Sequence, residues 1–206
     1  MSIINKIRFQ IIRYHSLKCL RNDPTFSKDA VYLTFDDGPE PGITEFILDE
    51  LNKYNMKSTF FCCGKNCKEF PKLLERIKRE GHSVANHTHS HISGYTTPQL
   101  SYMEDVELCE SYLSTNIFRP PWGALTFSLY KKLRYIYRIV YWDVVSGDTE
   151  GSNFNLKQSF DKFKKNIKPG SVVLFHFCNL SANETRQILP ICLKYLSENH
   201  FKTAIF

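Results

Sequence analysis

Residues 30–40 read AVYLTFDDGPE, an apolar and β-branched run that ends in two adjacent aspartates and a Gly-Pro pair. The run from Ala30 to Phe35 has the composition of a buried strand, and a Gly-Pro pair is typical of a turn. Two neighbouring carboxylates repel each other unless water or a cation reduces the repulsion. Asp36 and Asp37 therefore indicate either an ordinary solvated turn or a charged site at the end of a strand.

Six further apolar runs repeat this pattern along the chain. They are STFFCC (58–63), HSVANH (82–87), NIFRPPW (116–122), RIVYWDVV (138–145), SVVLFHF (171–177) and KTAIF (202–206). The segments between them have helical spacing of apolar residues, as at Tyr102 and Val106. Pro71 and Pro98 are placed to begin helices, and Gly81 is placed to end one.

Strands that are almost continuously apolar and alternate with helices are typical of a parallel sheet covered on both faces. We therefore predict an α/β fold with about seven parallel strands, either open and doubly wound or closed into a barrel. In both architectures the functional residues collect at the carboxyl ends of the strands.

The composition favours a single globular unit. The chain has 206 residues, of which 42% are hydrophobic and 14% aromatic, enough for a large core. Its formal net charge is +6, and its lysines and arginines are scattered through helical stretches. We therefore expect no nucleic-acid partner, and we expect a monomer.

The cysteines and the N-terminus bear on compartment and domain organisation. The seven cysteines lack the paired CxxC spacing of a zinc cluster, so we expect free thiols. We expect no transmembrane segment, and the N-terminus lacks the unbroken apolar core of a secretory signal. We predict an N-terminal extension, residues 1–29, packed on a catalytic domain, residues 30–206.

Unusual polar residues fall where the predicted strands end. They are Asp36, Asp37, His87, His91, Arg119, Asp143, Asp148 and His176. Residues with purely structural roles would be scattered over both edges of the sheet. Their predicted position at one edge therefore indicates an active site.

The histidines suggest a metal site at this edge. His87 and His91 are four residues apart, which places two imidazoles on one face of a helical turn. Neutral imidazoles suit zinc, and a carboxylate from another strand would complete three ligands with an open position for water. Asp36 or Asp37 would supply that carboxylate. The cation would then offset the repulsion between the two aspartates and leave the other one as a base.

Taken together, these segments resemble the polysaccharide deacetylases, the family 4 carbohydrate esterases that include chitin deacetylases and peptidoglycan N-acetylglucosamine deacetylases. The resemblance runs from about Ala30 to the C-terminus. It rests on the ordered segments TFDDGP, STFFCCG, GHSVANHTHSH, FRPPWG, WDVVSGDT and LFH. It implies a distorted, incomplete (β/α) barrel and an N-acetylated glycan substrate, preferably chitin-like. It also implies a cell-surface or cell-wall location, although no signal peptide is visible.

The resemblance implies one divalent cation, with zinc preferred over cobalt or nickel. By the match to TFDDGP, Asp36 is the general base and Asp37 a metal ligand. His87 and His91 complete the ligands, and Arg119 holds the base.

It further implies the residues that act on the acetyl group and the leaving group. The backbone N–H of Trp122 would help to bind the oxyanion, and Leu174 would line the pocket for the acetyl methyl. His176 would be the general acid that protonates the departing amine. His89 matches no required position, so we expect it to be a spacer, and we expect His82 to be structural.

The fourth segment departs from the family's usual WxxDxxDW pattern at Val145 and Thr149. We expect Val145 to leave His176 without an orienting carboxylate, because Asp143 would lie roughly 6.6 Å away along the strand. We expect Thr149 to leave the acetyl pocket without an indole wall. Two hypotheses remain open: a metal-dependent deacetylase of N-acetylglucosamine polymers, and a catalytically weak or inactive protein of the same fold that binds glycan or metal.

Overall fold

The computed structural model describes residues 2–206. A parallel sheet forms the centre of the molecule. Its strands are β1 (Ala30–Asp36), β2 (Thr59–Cys62), β3 (Ser83–Asn86), β4 (Ile117–Phe118), β5 (Arg138–Ile139), β6 (Val144–Val145), β7 (Val172–His176) and β8 (Lys202–Thr203). Seven strands follow the order β5-β4-β3-β2-β1-β7-β6, and the short β8 pairs with β1. All of these pairings are parallel.

Eight α-helices lie in the same residues. They are α1 (Ile3–Arg21), α2 (Ile43–Lys53), α3 (Gly64–Glu69), α4 (Pro71–Arg79), α5 (Gln99–Leu113), α6 (Phe127–Leu133), α7 (Leu156–Asn166) and α8 (Ala182–Glu198). The helix signals are confirmed, since Pro71 begins α4, Pro98 precedes α5, and Gly81 follows α4 with a φ of +80°. Within residues 2–206, no helix is long and apolar enough to cross a membrane.

The sheet is curled but does not close. The run 138–145, which we predicted as one strand, forms two strands at opposite edges, with β5 beside β4 and β6 beside β7. Ile139 and Val144 are five residues apart, so they are separated by at most about 18 Å. The two edges therefore face each other across a gap. The predicted incomplete barrel is confirmed, whereas the single fifth strand is wrong because the chain must cross this gap.

Helix α1 lies along the gap. The Ser16 hydroxyl donates a hydrogen bond to the carbonyl of Ile139, and Arg13 Nε donates one to the carbonyl of Trp142 at 2.7 Å. Three apolar side chains of this helix are buried, namely Ile12, Leu17 and Leu20. The helix thus covers the part of the barrel that the strands leave open, while the domain boundary at residue 29 stays a prediction.

The two faces of β1 point into different surroundings. Leu33 and Phe35 join the hydrophobic cluster that includes side chains of α2 and α8. Tyr32 joins a second cluster that includes side chains of α1. Because side chains alternate along a strand, Thr34 and Asp36 point the same way as Tyr32, into the interior of the curl.

Candidate active site

Strand register brings the predicted site residues together at the carboxyl-terminal ends of the strands, which we call the active-site edge. Asp36 is level with His176 on the neighbouring strand, and Asn86 is level with the end of β4. His87 and Arg119 therefore leave the sheet at the same edge. A cavity of about 380 Å³ opens there, and its walls are Asp36, Asp37, His87, His91, Trp122, Trp142, Val145, Thr149, Leu174 and His176.

Asp143 lies at the amino-terminal ends of the strands, on the other side of the sheet from the cavity, which corrects its predicted position. Its Oδ1 accepts a hydrogen bond from the backbone N–H of Val172 at 2.9 Å, and its other oxygen pairs with Arg21. Val172 is the first residue of β7, so Asp143 belongs to the amino end of the sheet. The prediction failed because residues 138–145 are not one strand, and Asp143 precedes β6 instead of following a strand.

A buried ion pair holds Asp36. Its Oδ1 accepts a hydrogen bond from Nη1 of the fully buried Arg119 at 2.7 Å. The same nitrogen donates to the Thr34 hydroxyl at 2.8 Å, and the guanidinium lies 4.0 Å from the ring centroid of Phe61. Burial lowers the pKa of Arg119 and the nearby Asp36 opposes this effect, so the guanidinium stays charged. The arginine therefore fixes the orientation of the carboxylate.

Asp37, His87 and His91 converge on one point. Asp37 Oδ1 is 3.2 Å from His87 Nε2 and 3.0 Å from His91 Nε2. The three potential ligand atoms all lie within 4.8 Å of one another. Burial raises the pKa of Asp37, but hydrogen bonds with the two histidines outweigh burial and hold this pKa well below its usual range. The carboxylate is therefore ionised, as a metal ligand must be.

The tautomer of His87 also suits metal binding. Its Nδ1 lies 2.7 Å from the backbone carbonyl of Arg119. A carbonyl only accepts hydrogen bonds, so Nδ1 carries a proton, which leaves Nε2, the nitrogen that faces Asp37, as the one that could bind a cation. Two imidazole nitrogens and one carboxylate oxygen are typical ligands of zinc and related divalent transition metals. The side chains present thus fit such a cation.

Unusual backbone angles occur around this cluster. Four residues other than glycine have positive φ here, with values of 87° at Asp37, 63° at Thr88, 53° at His91 and 54° at Trp122. Each such conformation costs on the order of 1 to 3 kcal/mol and persists only where its surroundings impose it. Their concentration beside one cavity is typical of a functional site. The sequence did not reveal this backbone strain.

Asn86 holds the loop between His87 and His91. Its Oδ1 accepts a hydrogen bond from the backbone N–H of Thr88 at 2.9 Å, and its Nδ2 donates to the carbonyl of Val106 at 2.9 Å. The His89 ring instead stacks on Tyr112, with 5.8 Å between centroids, and does not join the ligand cluster. Asn86 therefore fixes the backbone that carries His87 and His91.

His176 has a carboxylate partner, which corrects the expectation drawn from Val145. Its Nδ1 is 3.0 Å from Asp148 Oδ1, and its backbone N–H donates to Asp148 Oδ2 at 2.7 Å. The hydroxyls of Ser146 and Thr185 also donate to this buried carboxylate, at 2.7 and 3.0 Å. Asp148 thus supplies the orienting carboxylate that we had assigned to position 145.

Strand register explains the error. Val145 is level with Leu174, two positions before His176 on β7, so a carboxylate there would start roughly 7 Å too low. Asp148 follows the end of β6 and reaches the level of the imidazole. Burial lowers the pKa of His176, but the Asp148 carboxylate outweighs burial and raises it to about 9. His176 is therefore protonated at neutral pH, with Nε2 left for the cavity.

Apolar side chains form the remaining walls of the cavity. Leu174 is buried at its base, and the ring of the exposed Trp122 lies 4.3 Å from that of His91. The backbone N–H of Trp122 has no hydrogen-bond partner among residues 2–206. Thr149 lines the cavity without an aromatic ring.

Comparisons with known sequences agree with this geometry. The sequence profile of the family described as Polysaccharide deacetylase matches residues 23–136. A peptidoglycan-N-acetylglucosamine deacetylase of Bacillus cereus is 34% identical over 165 residues, which are 73% of this chain and 57% of that protein. The chain thus spans little more than half the length of this relative. A chitooligosaccharide deacetylase of Azorhizobium caulinodans is 28% identical over 74% of this chain and 75% of its own length.

Solved structures give the same result. The Bc1960 peptidoglycan N-acetylglucosamine deacetylase, in complex with 4-naphthalen-1-yl-N-oxidanyl-benzamide, superposes with a TM-score of 0.81 at 30% identity. The superposition covers 88% of this chain and 89% of that one.

Proposed function

Because the chain belongs to the polysaccharide deacetylase family, we propose that it is a metal-dependent hydrolase that removes acetyl groups from N-acetylglucosamine-containing polysaccharide. One observation carries this proposal. A single cavity contains the Asp37 cluster, a carboxylate held by a buried arginine, and the His176 imidazole bonded to Asp148. These are a cation site, a base and an acid, which together can hydrolyse an unactivated amide.

The proposed cation ligands are Asp37, His87 and His91. Zinc is the preferred ion, and cobalt or nickel are alternatives with similar ligand preferences. When bound, such an ion polarises the acetyl carbonyl and lowers the pKa of a water molecule. Three protein ligands leave room for both substrate and water, which is the arrangement of catalytic sites rather than structural ones.

The protein's own groups would move the protons. Asp36 accepts the proton of the attacking water while Arg119 keeps its carboxylate in place. The backbone N–H of Trp122 donates a hydrogen bond to the carbonyl oxygen as it becomes negative, and one such donor typically contributes about 10² to 10³ in rate. His176 then gives its Nε2 proton to the departing amine, and Asp148 stabilises the orientation of the ring.

The relatives and the cavity walls support the proposed substrate class. The relatives are named for peptidoglycan N-acetylglucosamine and for chitooligosaccharide, which share a 2-acetamido sugar. The exposed ring of Trp122 gives such a sugar a flat apolar surface beside the cation cluster, and Leu174 gives its acetyl methyl an apolar contact. A chitin-like polymer is our preferred substrate and peptidoglycan the alternative. Either would place the protein, as a monomer, at a cell surface or cell wall.

Acetate release tests the proposal. We expect the zinc-loaded protein to release acetate from chitin oligosaccharides or purified peptidoglycan, to lose this activity on chelation, and to regain it with zinc. Small acetyl esters serve as a control because their leaving group needs little protonation. Metal-loaded protein that releases no acetate from any amide substrate would favour the alternative of an inactive glycan-binding or metal-binding protein.

A further inference from the structure

The outward face of α1 is apolar. Ile4, Ile7, Ile11 and Tyr14 follow one another at intervals of three and four residues, so they lie on one side of the helix. All four side chains are exposed, Ile4 by 62% and Tyr14 by 70%. The opposite side contributes Ile12 to the core. A single exposed isoleucine is unremarkable, but a row of apolar side chains along one helix marks an interaction surface.

The same helix is strongly basic. It contains five basic residues and no acidic one, namely Lys6, Arg8, Arg13, Lys18 and Arg21. Lys18 is exposed and continues the row one turn beyond Tyr14, and Lys6 is exposed on the flank of the helix. Helix α1 is apolar on two sides, one buried and one exposed, so the features that suit a membrane interface are the exposed isoleucines and the basic residues beside them.

A neighbouring segment extends this surface. Residues 131–138, KKLRYIYR, add four basic residues and no acidic one, and Tyr135 and Ile136 are largely exposed. The segment lies beside α1, because His15 Nδ1 is 3.1 Å from the hydroxyl of Tyr130 and a cleft of about 340 Å³ is lined by both segments. The whole chain has a formal charge of only +6. These two segments carry nine basic residues, so the rest of the chain is net acidic.

We propose that α1 and residues 131–138 form a surface that binds an anionic phospholipid bilayer, with the isoleucines among the lipid headgroups and the lysines on the phosphates. Charge selects this occupant. A second copy of the chain would cover the isoleucines but would bring two basic surfaces together. A free polyanion would neutralise the lysines but leave the isoleucines in water. A bilayer of anionic lipid satisfies both groups.

The orientation of α1 gives this binding a consequence. Its first turn lies near the active-site edge, because the hydroxyl of Tyr95 donates a hydrogen bond to the carbonyl of Asn5 at 3.1 Å. One turn further on, Phe9 packs on Trp142, which lines the cavity, with 5.9 Å between centroids. A protein bound through α1 would therefore hold its cavity close to the membrane surface. The membrane proposal is independent of the deacetylase activity.

Co-sedimentation with vesicles tests the proposal in the full chain. We expect binding to phosphatidylcholine vesicles that contain phosphatidylglycerol, weak binding to phosphatidylcholine alone, and loss of binding at high salt. The triple variant Ile4→Gln, Ile7→Gln, Ile11→Gln keeps good helix formers, and its partition coefficient should fall at least about tenfold. The pair Lys6→Glu, Lys18→Glu should lose as much.

The matched control is Leu100→Gln with Leu108→Gln, which changes two exposed leucines of α5 and should bind like the wild type. Unchanged thermal unfolding of each variant would show that the fold persists. Wild type that ignores anionic vesicles, or a triple variant that binds them equally well, would overturn the proposal. So would wild type that forms a dimer through these isoleucines and leaves the vesicles unbound.

Discussion

At the scale of single residues, Asp148 determines what His176 can do. Its carboxylate accepts a hydrogen bond from Nδ1–H of His176 and is itself held by hydrogen bonds from Ser146 and Thr185. We predict that Asp148→Asn lowers kcat for N-acetyl substrates by about 10³ to 10⁴, since loss of the corresponding carboxylate in a catalytic triad has this effect. The KM should change little. Because the partner is already present, we expect no gain in activity from Val145→Asp.

The pH profile separates this role from a merely structural one. Folded His176 has its pKa raised to about 9, so this proposed general acid is protonated at neutral pH and loses its proton as the pH rises through about 9. In Asp148→Asn the charge that raises the pKa of His176 against the effect of burial is gone. The fall of kcat at alkaline pH, the alkaline limb of the pH profile, should therefore move to lower pH. Asp143→Asn, at the other end of the sheet, is the matched control and should leave the limb in place. An unmoved limb in Asp148→Asn would contradict the assignment.

At the scale of secondary structure, His82 links β2 to β3. Its Nδ1 accepts a hydrogen bond from the backbone N–H of Ser58 at 3.2 Å, which requires the neutral ring. Burial lowers the pKa of His82 to about 4, from 6.5 in the unfolded chain. A lowered histidine pKa stabilises the fold fully above pH 6.5, and this contribution is lost as the pH falls toward 4. It amounts to at most about 3 kcal/mol, and solvent that reaches the ring reduces it.

We therefore predict that His82→Gln unfolds more easily than wild type at pH 7 but loses less stability between pH 6.5 and pH 4. Urea denaturation at a series of pH values measures both effects. His200, an exposed histidine near the C-terminus, gives the control variant His200→Gln, whose pH dependence should match that of the wild type. Equal slopes for wild type and His82→Gln would show that another group governs this range.

The secondary structure also shows where sequence reasoning succeeds. Helix and strand positions followed from local signals, such as Pro71 at the start of α4 and the apolar run of β1. The prediction of a single strand at residues 138–145 failed because the curl of the whole sheet, and not local composition, places β5 and β6 at opposite edges. Asp143 was misplaced for the same reason, and β6 alone could not show that Asp148 reaches His176.

At the scale of the whole molecule, the ordered motifs predicted the half-barrel. They also predicted that the polar residues following the strands lie together at the carboxyl-terminal ends of those strands. Spacing singled out His87 and His91, but the helical turn expected between them is wrong, because residues 87–91 form a loop with positive φ at Thr88 and His91. The strained backbone at Asp37 and Trp122 could not be predicted, because positive φ at these residues depends on contacts made far along the chain. The covering of the sheet's gap by α1 was invisible for the same reason, since it depends on where the two edges lie.

The most direct measurement combines zinc content with acetate release from chitin oligosaccharides and peptidoglycan in Asp36→Asn and His87→Ala. Asparagine keeps the shape of the side chain but cannot accept a proton from water, so Asp36→Asn should hold zinc stoichiometrically while its acetate release falls by about 10² to 10⁴. His87→Ala should lose both tight zinc binding and activity, because one of three ligands is gone. Acetate release at the wild-type rate from Asp36→Asn, or full zinc content in His87→Ala, would contradict the proposed deacetylase site.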